Sequence, residues 1–519
     1  MKLVLKKILL LSFVFSFVFF SKAEKLYNDF GNQKLPFEMD RISIPSFPDN
    51  EISITECGGV GDGVTLNTVA FEKAIQKLSQ KGGGTLKVPF GIWFTGPIVF
   101  RSNIQLYLEK GAVILFTTDF DAYPLLKTSY EGVETRRCQS PISGRNLENV
   151  AITGEGIING SGEAWRPLKK SKVTESYWKK VINSGGVLKD SDYWFPSQKS
   201  LKGELLSEKQ LLDGNLTEEE WNSIKDFLRP VMVSFIECKN VYLQGVLFEN
   251  SPSWAIHPLL CENLTVENIF VRNPLFAQNG DGIDVESCRN VIITRSTFDV
   301  GDDAICLKSG KDESGRKRGR PTENVVVENC TVFKGHGGFV VGSEMSGGIR
   351  NVSVSNCKFM GTDVGLRFKS NRGRGGVVEN IFISNISMND IVTDAFLFDL
   401  YYGGKSASER LEDGDEEVQN TDIKPVDETT PVFRNIFVEN IISRNSRRAM
   451  FFNGLPEMNI SNIHIENAQF SSEFGAELVE SDGIVFKNVS IYPLKGEKLI
   501  LKNVKKFKTI GCNFSTDSM

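Results

Sequence analysis

Asp281, Asp302, Asp303, His336, Arg367 and Lys369 are the residues of this chain with the types and spacing to do chemistry together. Three carboxylates in one cleft suit acid–base hydrolysis of a glycosidic bond. One protonated acid gives its proton to the leaving oxygen, and an ionised partner activates water. Mutual repulsion between close carboxylates helps keep one of them protonated. Arg367 and Lys369 would suit a substrate that is itself a carboxylate. A preference of Asp and Asn for turns, with His336 in a Gly-rich bend, accounts for any one of these residues. It accounts poorly for six of them on one stripe in a chain with only 3 His.

That stripe follows from a repeat. Asn followed by a β-branched or Leu residue, any residue and another aliphatic recurs at Asn149, Asn240, Asn263, Asn290, Asn324, Asn351, Asn380, Asn435, Asn462 and Asn488. The steps cluster near 27 residues, a period that signals a solenoid. Each unit is a short alternating strand followed by Gly/Asn/Asp-rich turns, and stacked coils bury what one coil cannot. The predicted fold is all-β, a right-handed parallel β-helix. Counted from the preceding Asn, Asp281 lies 18 residues on, Asp302 and Asp303 lie 12 and 13, His336 lies 12, and Arg367 and Lys369 lie 16 and 18. All therefore fall in one sector of four consecutive coils. The same sector holds Trp254 and His257 after Asn240, and Trp165 and Arg166 after Asn149.

Around this core the sequence places a short N-terminal capping helix over Thr68 to Ser79, with Val69, Phe71, Ala74, Ile75 and Leu78 as its apolar face and Asn67 or Thr68 as its cap. Two stretches break the period. Residues 165–229 form an insertion with Trp165, Trp178, Trp194 and Trp221, which either walls off one end of the cleft or packs into a small core of its own. Residues 403–431 form an acidic loop around Glu412–Glu417, read as solvated. Cys238, Cys261 and Cys288 lie two residues before an anchor Asn, and Cys330 and Cys357 six after one, so they read as stacked, buried small hydrophobes rather than a disulfide framework.

Composition bounds the partners. A net charge of -5 in 519 residues argues against a nucleic-acid-coating protein, although Arg316–Arg320 is locally basic. Lys2, Lys6 and Lys7 before the apolar run Ile8 to Phe20, then Ser21-Lys22-Ala23, read as a signal peptide over residues 1–23. That run is short for a membrane span. The expected layout is residues 1–23 as signal, 24–50 as an N-terminal extension and 51–519 as a single β-helix domain. The chain is then exported to a periplasm or the extracellular space, with no membrane span, and is expected to be a monomer.

Asn279-Gly280-Asp281, Gly301-Asp302-Asp303, Gly335-His336-Gly337 and Arg367-Phe368-Lys369 resemble, in order, the four signature motifs of glycoside hydrolase family 28, the polygalacturonases. The flanks Gly337–Glu344 and Ser251–Pro258 resemble its bacterial exo-acting branch. The resemblance implies hydrolysis of α-1,4-linked galacturonic acid in pectin, with inversion, without a metal or other cofactor. It implies Asp302 as general acid, Asp281 and Asp303 as the pair that positions and activates water, and His336 as support for the acid. Asn279, Arg367 and Lys369 become substrate-binding residues, joined by His257, Trp254 and Arg166 from the sector count. Gly280 stands where the family commonly has Thr, and Ala304-Ile305 separate the Asp pair from Cys306, away from the endo pattern. The alternatives are an exo-galacturonidase acting on rhamnogalacturonan fragments, a calcium-dependent pectate lyase, and a polysaccharide-binding solenoid without catalysis.

Overall fold

The computed structural model describes residues 35–404, 411, 414 and 422–514. The expected signal peptide and most of the acidic stretch Glu412–Glu417 lie outside the described residues. The chain divides into two compact units, residues 1–39 and 40–519. In the first, residues 35–39 contain no helix or strand.

The second unit is the right-handed parallel β-helix that the repeat predicts. Its strands pair in parallel with the equivalent strand of the next coil, in constant register on two faces through the middle of the molecule and with one shift, at Phe298/Asp299, on the third. A coil has three faces. One coil runs through Ile283–Glu286, Arg289–Thr294 and Thr297–Asp299, the next through Asp303–Lys308, Thr322–Glu328 and Thr331–Lys334. Inward positions such as Ile283, Val285, Val291, Ile293 and Phe298 form one apolar column that continues from coil to coil.

The recurring Asn has a structural cause. From Asn149 to Asn462, nine of the anchors named above turn the chain at positive φ, between 52 and 59°. In that conformation each carboxamide reaches the one in the coil below. Asn263 Nδ2 donates to Asn240 Oδ1 at 3.1 Å, Asn290 to Asn263 at 3.2 Å and Asn324 to Asn290 at 3.1 Å. Asn tolerates left-handed backbone, and the amide ladder satisfies its side chain when buried. Asn488 leaves this ladder and donates instead to Asn467.

The N-terminal helix spans Thr68–Gln80 and buries Ala70, Phe71, Ala74, Ile75 and Leu78. Two details differ from expectation. Val69 is 73% exposed, because the buried stripe runs through Ala70 instead. Asn67 does not cap with its side chain; its Oδ1 accepts from the Val60 amide and its Nδ2 donates to Val60 and Phe94 carbonyls, tying the preceding loop down. The five repeat-linked cysteines are buried along the core.

Three excursions leave the solenoid on the site-bearing side. An antiparallel hairpin, Leu125–Tyr130 with Val133–Cys138, was not anticipated from the sequence. The Trp-rich insertion folds as a three-stranded antiparallel sheet with helices Glu175–Asn183, Gln198–Glu204 and Glu218–Ser223. The helix Asp312–Arg318 carries most of the basic run, which is used structurally: Arg316 donates to the Gly373 and Arg374 carbonyls, and Arg318 pairs with Glu286.

Candidate active site

The site stands on one outward face of the solenoid, on the strands Ile283–Glu286, Asp303–Lys308, Gly337–Val341 and Leu366–Lys369 and the turns that enter them. Parallel register sets Asp284, Cys306, Val340 and Arg367 side by side on successive strands. Asp281, Asp302 and His336 come from the entering turns. Close packing of those turns explains two glycines of the motifs. A Cβ at Gly280 would lie 2.7 Å from the Ala277 Cβ, and one at Gly301 would lie 2.5 Å from the Pro274 carbonyl oxygen. Glycine at 280, where Thr was noted as usual, is thus what this turn accommodates.

Asp281, Asp302 and Asp303 converge, with one oxygen of each within 4.8 Å of the others. Asp302 Oδ1 accepts from its neighbour's backbone N–H and lies 2.9 Å from His336 Nδ1. Arg367 donates to Asp303 Oδ1 at 3.0 Å and Lys369 to Asp303 Oδ2 at 2.7 Å. Asp281 is 3% exposed and its Oδ1 has no partner. Arg229, which the sequence analysis did not single out, holds the first motif by donating to Asn279 Oδ1 and to the Pro252 and Gln278 carbonyls.

These surroundings separate the carboxyls. Burial, with Asp284 and Asp302 adding repulsion, holds the Asp281 carboxyl well above the usual Asp range. Burial also pushes Asp302 up, but His336, Lys369 and Arg367 outweigh it and the group ends below its ordinary value. For Asp303 burial is likewise outweighed, by Lys369 and Arg367. Burial lowers His336, and Asp302 more than offsets this, so the imidazole titrates above its ordinary value. These directions favour an ionised Asp302 beside a charged His336 and the neutral form of Asp281.

A cavity of about 550 Å³ opens over the carboxylates. Of the predicted residues, Asn279, Asp281, Asp302, Asp303, His336, Lys369 and Trp254 line it, and Arg367 reaches it through Asp303. Two predicted residues stand elsewhere. Arg166 is buried in the insertion's base, donating to the Ser251 carbonyl and Asn250 Oδ1, where the Trp-rich segment leaves the coil. His257 is one strand position beyond Asp284, turned to Glu286 at 2.8 Å and to the edge of Trp254, outside this cavity. Counting thus finds the face of His257 but not the Trp254 ring beside it, and Arg166 falls where the insertion departs from the coil.

The insertion does reach the cavity, but through Lys169, Lys172 and Glu208 rather than through tryptophan. Trp165 packs with Tyr123 and Cys138, Trp178 and Trp194 with Leu168, and Trp221 with Ile224 and Leu228, so these rings form small cores. Sequence reasoning also missed Lys308, Glu344, Asp284 and Tyr402. Lys308 Nζ lies 2.9 Å from Glu344, 3.6 Å from the buried Asp284 and 4.8 Å over the Trp254 ring. Tyr402 lies 4.8 Å from Lys369 Nζ and lines the opposite side with Gly403 and Gly404, the start of the acidic stretch. Lys308 ends DAICLK, a run that reads as core strand, although its offset of 18 from Asn290 equals that of Lys369 from Asn351 and could have marked it.

The aspartate oxygens are close enough to hold a cation. However, both oxygens of Asp303 already accept from Arg367 and Lys369, so a metal there would compete with one of these cations.

The model of glycosyl hydrolases family 28 matches residues 213–432, which contain all four motifs. The structure of the exopolygalacturonase from Thermotoga maritima aligns at a TM-score of 0.71 and 33% identity, covering 88% of this chain and 95% of that one. The chain belongs to glycosyl hydrolases family 28. It is similar over 486 residues, at 28% identity, to a probable polygalacturonase of Vitis vinifera, covering 90% of this chain and 84% of the relative. It is 29% identical to the exo-poly-alpha-D-galacturonosidase of Dickeya chrysanthemi over 69% of this chain, and spans 58% of that longer enzyme. As a member of family 28 the protein is a glycosidase, and its convergent carboxylates are in keeping with hydrolysis of a glycosidic bond.

Proposed function

We propose that the protein is an exported exo-polygalacturonase that removes galacturonate from chain ends of pectin. The observation that carries this reading is the carboxylate trio with Arg367 and Lys369 on Asp303 and Lys308 nearby, in a cavity bounded on one side by the insertion's Lys169, Lys172 and Glu208. Cations beside the reacting centre suit a uronate, and a blocked side suits a chain end rather than a mid-chain segment. The names of the T. maritima and D. chrysanthemi relatives support the exo mode. Export rests on the expected signal over residues 1–23, which a single domain from residue 51 onwards would follow. Among the described residues no helix is long and apolar enough to cross a membrane.

In the proposed reaction Asp302 protonates the leaving glycosidic oxygen, while Asp281 and Asp303 hold and deprotonate the attacking water. Asp302 is ionised in the free site, so it must gain a proton on binding. His336 does most to hold Asp302 down; a galacturonate carboxylate that engages Lys369 and Arg367 neutralises the two cations that add to it, and Asp281, whose neutral form is favoured, lies next to it. Inversion is part of the proposal. The carboxylate grouping is tighter than the roughly 6.5–9.5 Å of most inverting pairs, so proton NMR of the first-formed product is the direct check, with the β-anomer expected.

The deciding experiment incubates the purified protein with reducing-end-labelled oligogalacturonide, with and without EDTA. Mono- or digalacturonate released from the unlabelled end, without absorbance from unsaturated ends and indifferent to EDTA, is the expected outcome. EDTA-sensitive, unsaturated products would make it a lyase and overturn the proposal. Cleavage only of rhamnogalacturonan fragments would replace the polymer while keeping the chemistry.

A further inference from the structure

Behind one wall of the catalytic cavity lies a second cavity, of about 270 Å³. Its floor continues the same outward face: Val99, Ser143, Ser234 and His257 stand side by side on four successive strands. Its roof is the hairpin Leu125–Tyr130 with Val133–Cys138, which folds over that face. The partition is a pair of rings. Tyr130 faces the second cavity, Trp254 faces the first, and they stack with centroids 4.7 Å apart and planes 27° apart.

The two cavities differ in how charge is matched. In the catalytic cavity Lys308, Lys311 and Lys369 are each paired with a carboxylate. The lining of the second contains Lys127, Arg137, Arg145 and His257 and no Asp or Glu. Lys127, Arg145 and His257 pair outside it, with Asp213, Glu237 and Glu286. Arg137 has no ion pair among the described residues. Its guanidinium lies 3.6 Å over the Tyr130 ring, and its buried Nε has no acceptor. A planar donor fork held over an aromatic ring and left without an acceptor is suited to a carboxylate. Ser143, Ser234 and Gln139 offer hydroxyl and amide partners beside it, as a sugar requires. The volume lies below the usual range for small-molecule pockets, which suits one ring and not a chain.

On the reading of the protein as a galacturonan hydrolase, we propose that this cavity is a second binding site for a single uronate, the product released on the other side of the Tyr130–Trp254 partition, with Arg137 holding its carboxylate. Calorimetric titration of the full chain with D-galacturonate tests this, with D-galactose as the neutral probe. The unmodified protein is expected to show two sites. Arg137→Leu should weaken one of them at least about tenfold. Val99→Trp, which fills the cavity from the exposed end of its floor while leaving Arg137 in place, should do the same, and Lys369→Ala should spare it. Two outcomes overturn the proposal. One is unchanged galacturonate binding in both Arg137→Leu and Val99→Trp when each melts like the parent. The other is galactose competing as well as galacturonate. Hydrolysis of oligogalacturonide is measured separately. Arg137-dependent binding without hydrolysis would sink the hydrolase reading alone, and hydrolysis with unchanged binding would sink the second site alone.

Discussion

At the scale of single residues, the aspartates are set apart by their surroundings rather than by their sequence. Asp281 is buried beside other carboxylates, and its folded value stands above the unfolded one. A raised carboxyl costs stability wherever pH exceeds the unfolded value, because the native state must keep a proton that the unfolded chain releases. Asp281→Asn is therefore expected to abolish turnover while raising the melting temperature at neutral pH, a gain of about 1 kcal/mol or more. That gain should shrink to nothing near about pH 3.5, below the unfolded value; a melting series across pH reads it directly. The Asp302–His336 pair has the opposite sign at each partner. The lowered Asp302 contributes stability above the ordinary Asp value, and the raised His336 contributes below the ordinary His value and loses it as pH rises through its own. His336→Gln should thus depress the melting point more at about pH 5.5 than at about pH 9. The acid itself is assigned by leaving-group chemistry. Asp302→Asn should lose about 10²–10⁴-fold on oligogalacturonide yet recover most of its rate on an aryl galacturonide, whose leaving group needs no proton. If Asp281→Asn shows that recovery instead, the proton on Asp281 is the catalytic one.

At the scale of the elements, the anchor Asn does two jobs, holding left-handed backbone and bonding to the coil below. Asn290 is 1% exposed, with φ at 57° and carboxamide bonds to both Asn263 and Asn324. Asn290→Ala should cost about 2 kcal/mol from backbone strain and lost bonds together. Asn290→Gly keeps the backbone freedom and should cost about half as much; equal losses in denaturant titrations would show that the ladder bonds carry everything. This dual demand is why the solenoid was legible in the sequence: a left-handed turn that also stacks a side chain leaves the same residue in every coil. The motif residues were legible for a related reason, since they sit in turns with a fixed offset from that Asn. Glu344 and Tyr402 share no offset with the motif residues; Lys308 does, 18 residues after Asn290 as Lys369 is after Asn351, but it ends a run that reads as core strand. Their relevance comes from neighbours in the adjacent coils, which parallel register brings together. The offset rule puts His257 on the right face, beside the Asp284 strand, but could not show that the Tyr130–Trp254 stack walls it off; Arg166 stands where the insertion leaves the coil.

At the scale of the whole molecule, a bare solenoid face is an open groove that would accept a polymer anywhere along its length. What distinguishes this molecule is that three excursions are tied across the face by ion pairs. Glu208 of the insertion reaches Lys311, which adjoins the Asp312–Arg318 helix, at 2.6 Å. Arg136 of the hairpin reaches Asp213 and Glu218 of the insertion, and Arg318 reaches back to Glu134 of the hairpin. Lys311 is nearly buried and also donates its backbone N–H to the Gly132 carbonyl, so its pair with Glu208 is less screened than a surface one. If this wall is what restricts cleavage to chain ends, weakening it should change the products before it changes the chemistry, because none of its residues touches the carboxylate trio. Glu208→Lys places two cations face to face, and the insertion should be pushed off the cavity at that side. With polygalacturonate as substrate, the parent is expected to release only the smallest sugars while viscosity falls slowly. Glu208→Lys should add intermediate oligomers and speed the fall in viscosity per bond cleaved, and Glu208→Lys combined with Lys311→Glu should restore the parent pattern by re-forming the pair in reverse. A product ladder identical in all three proteins would place the origin of end-selectivity elsewhere, in the Trp254–Tyr130 partition or the Tyr402 side of the cavity.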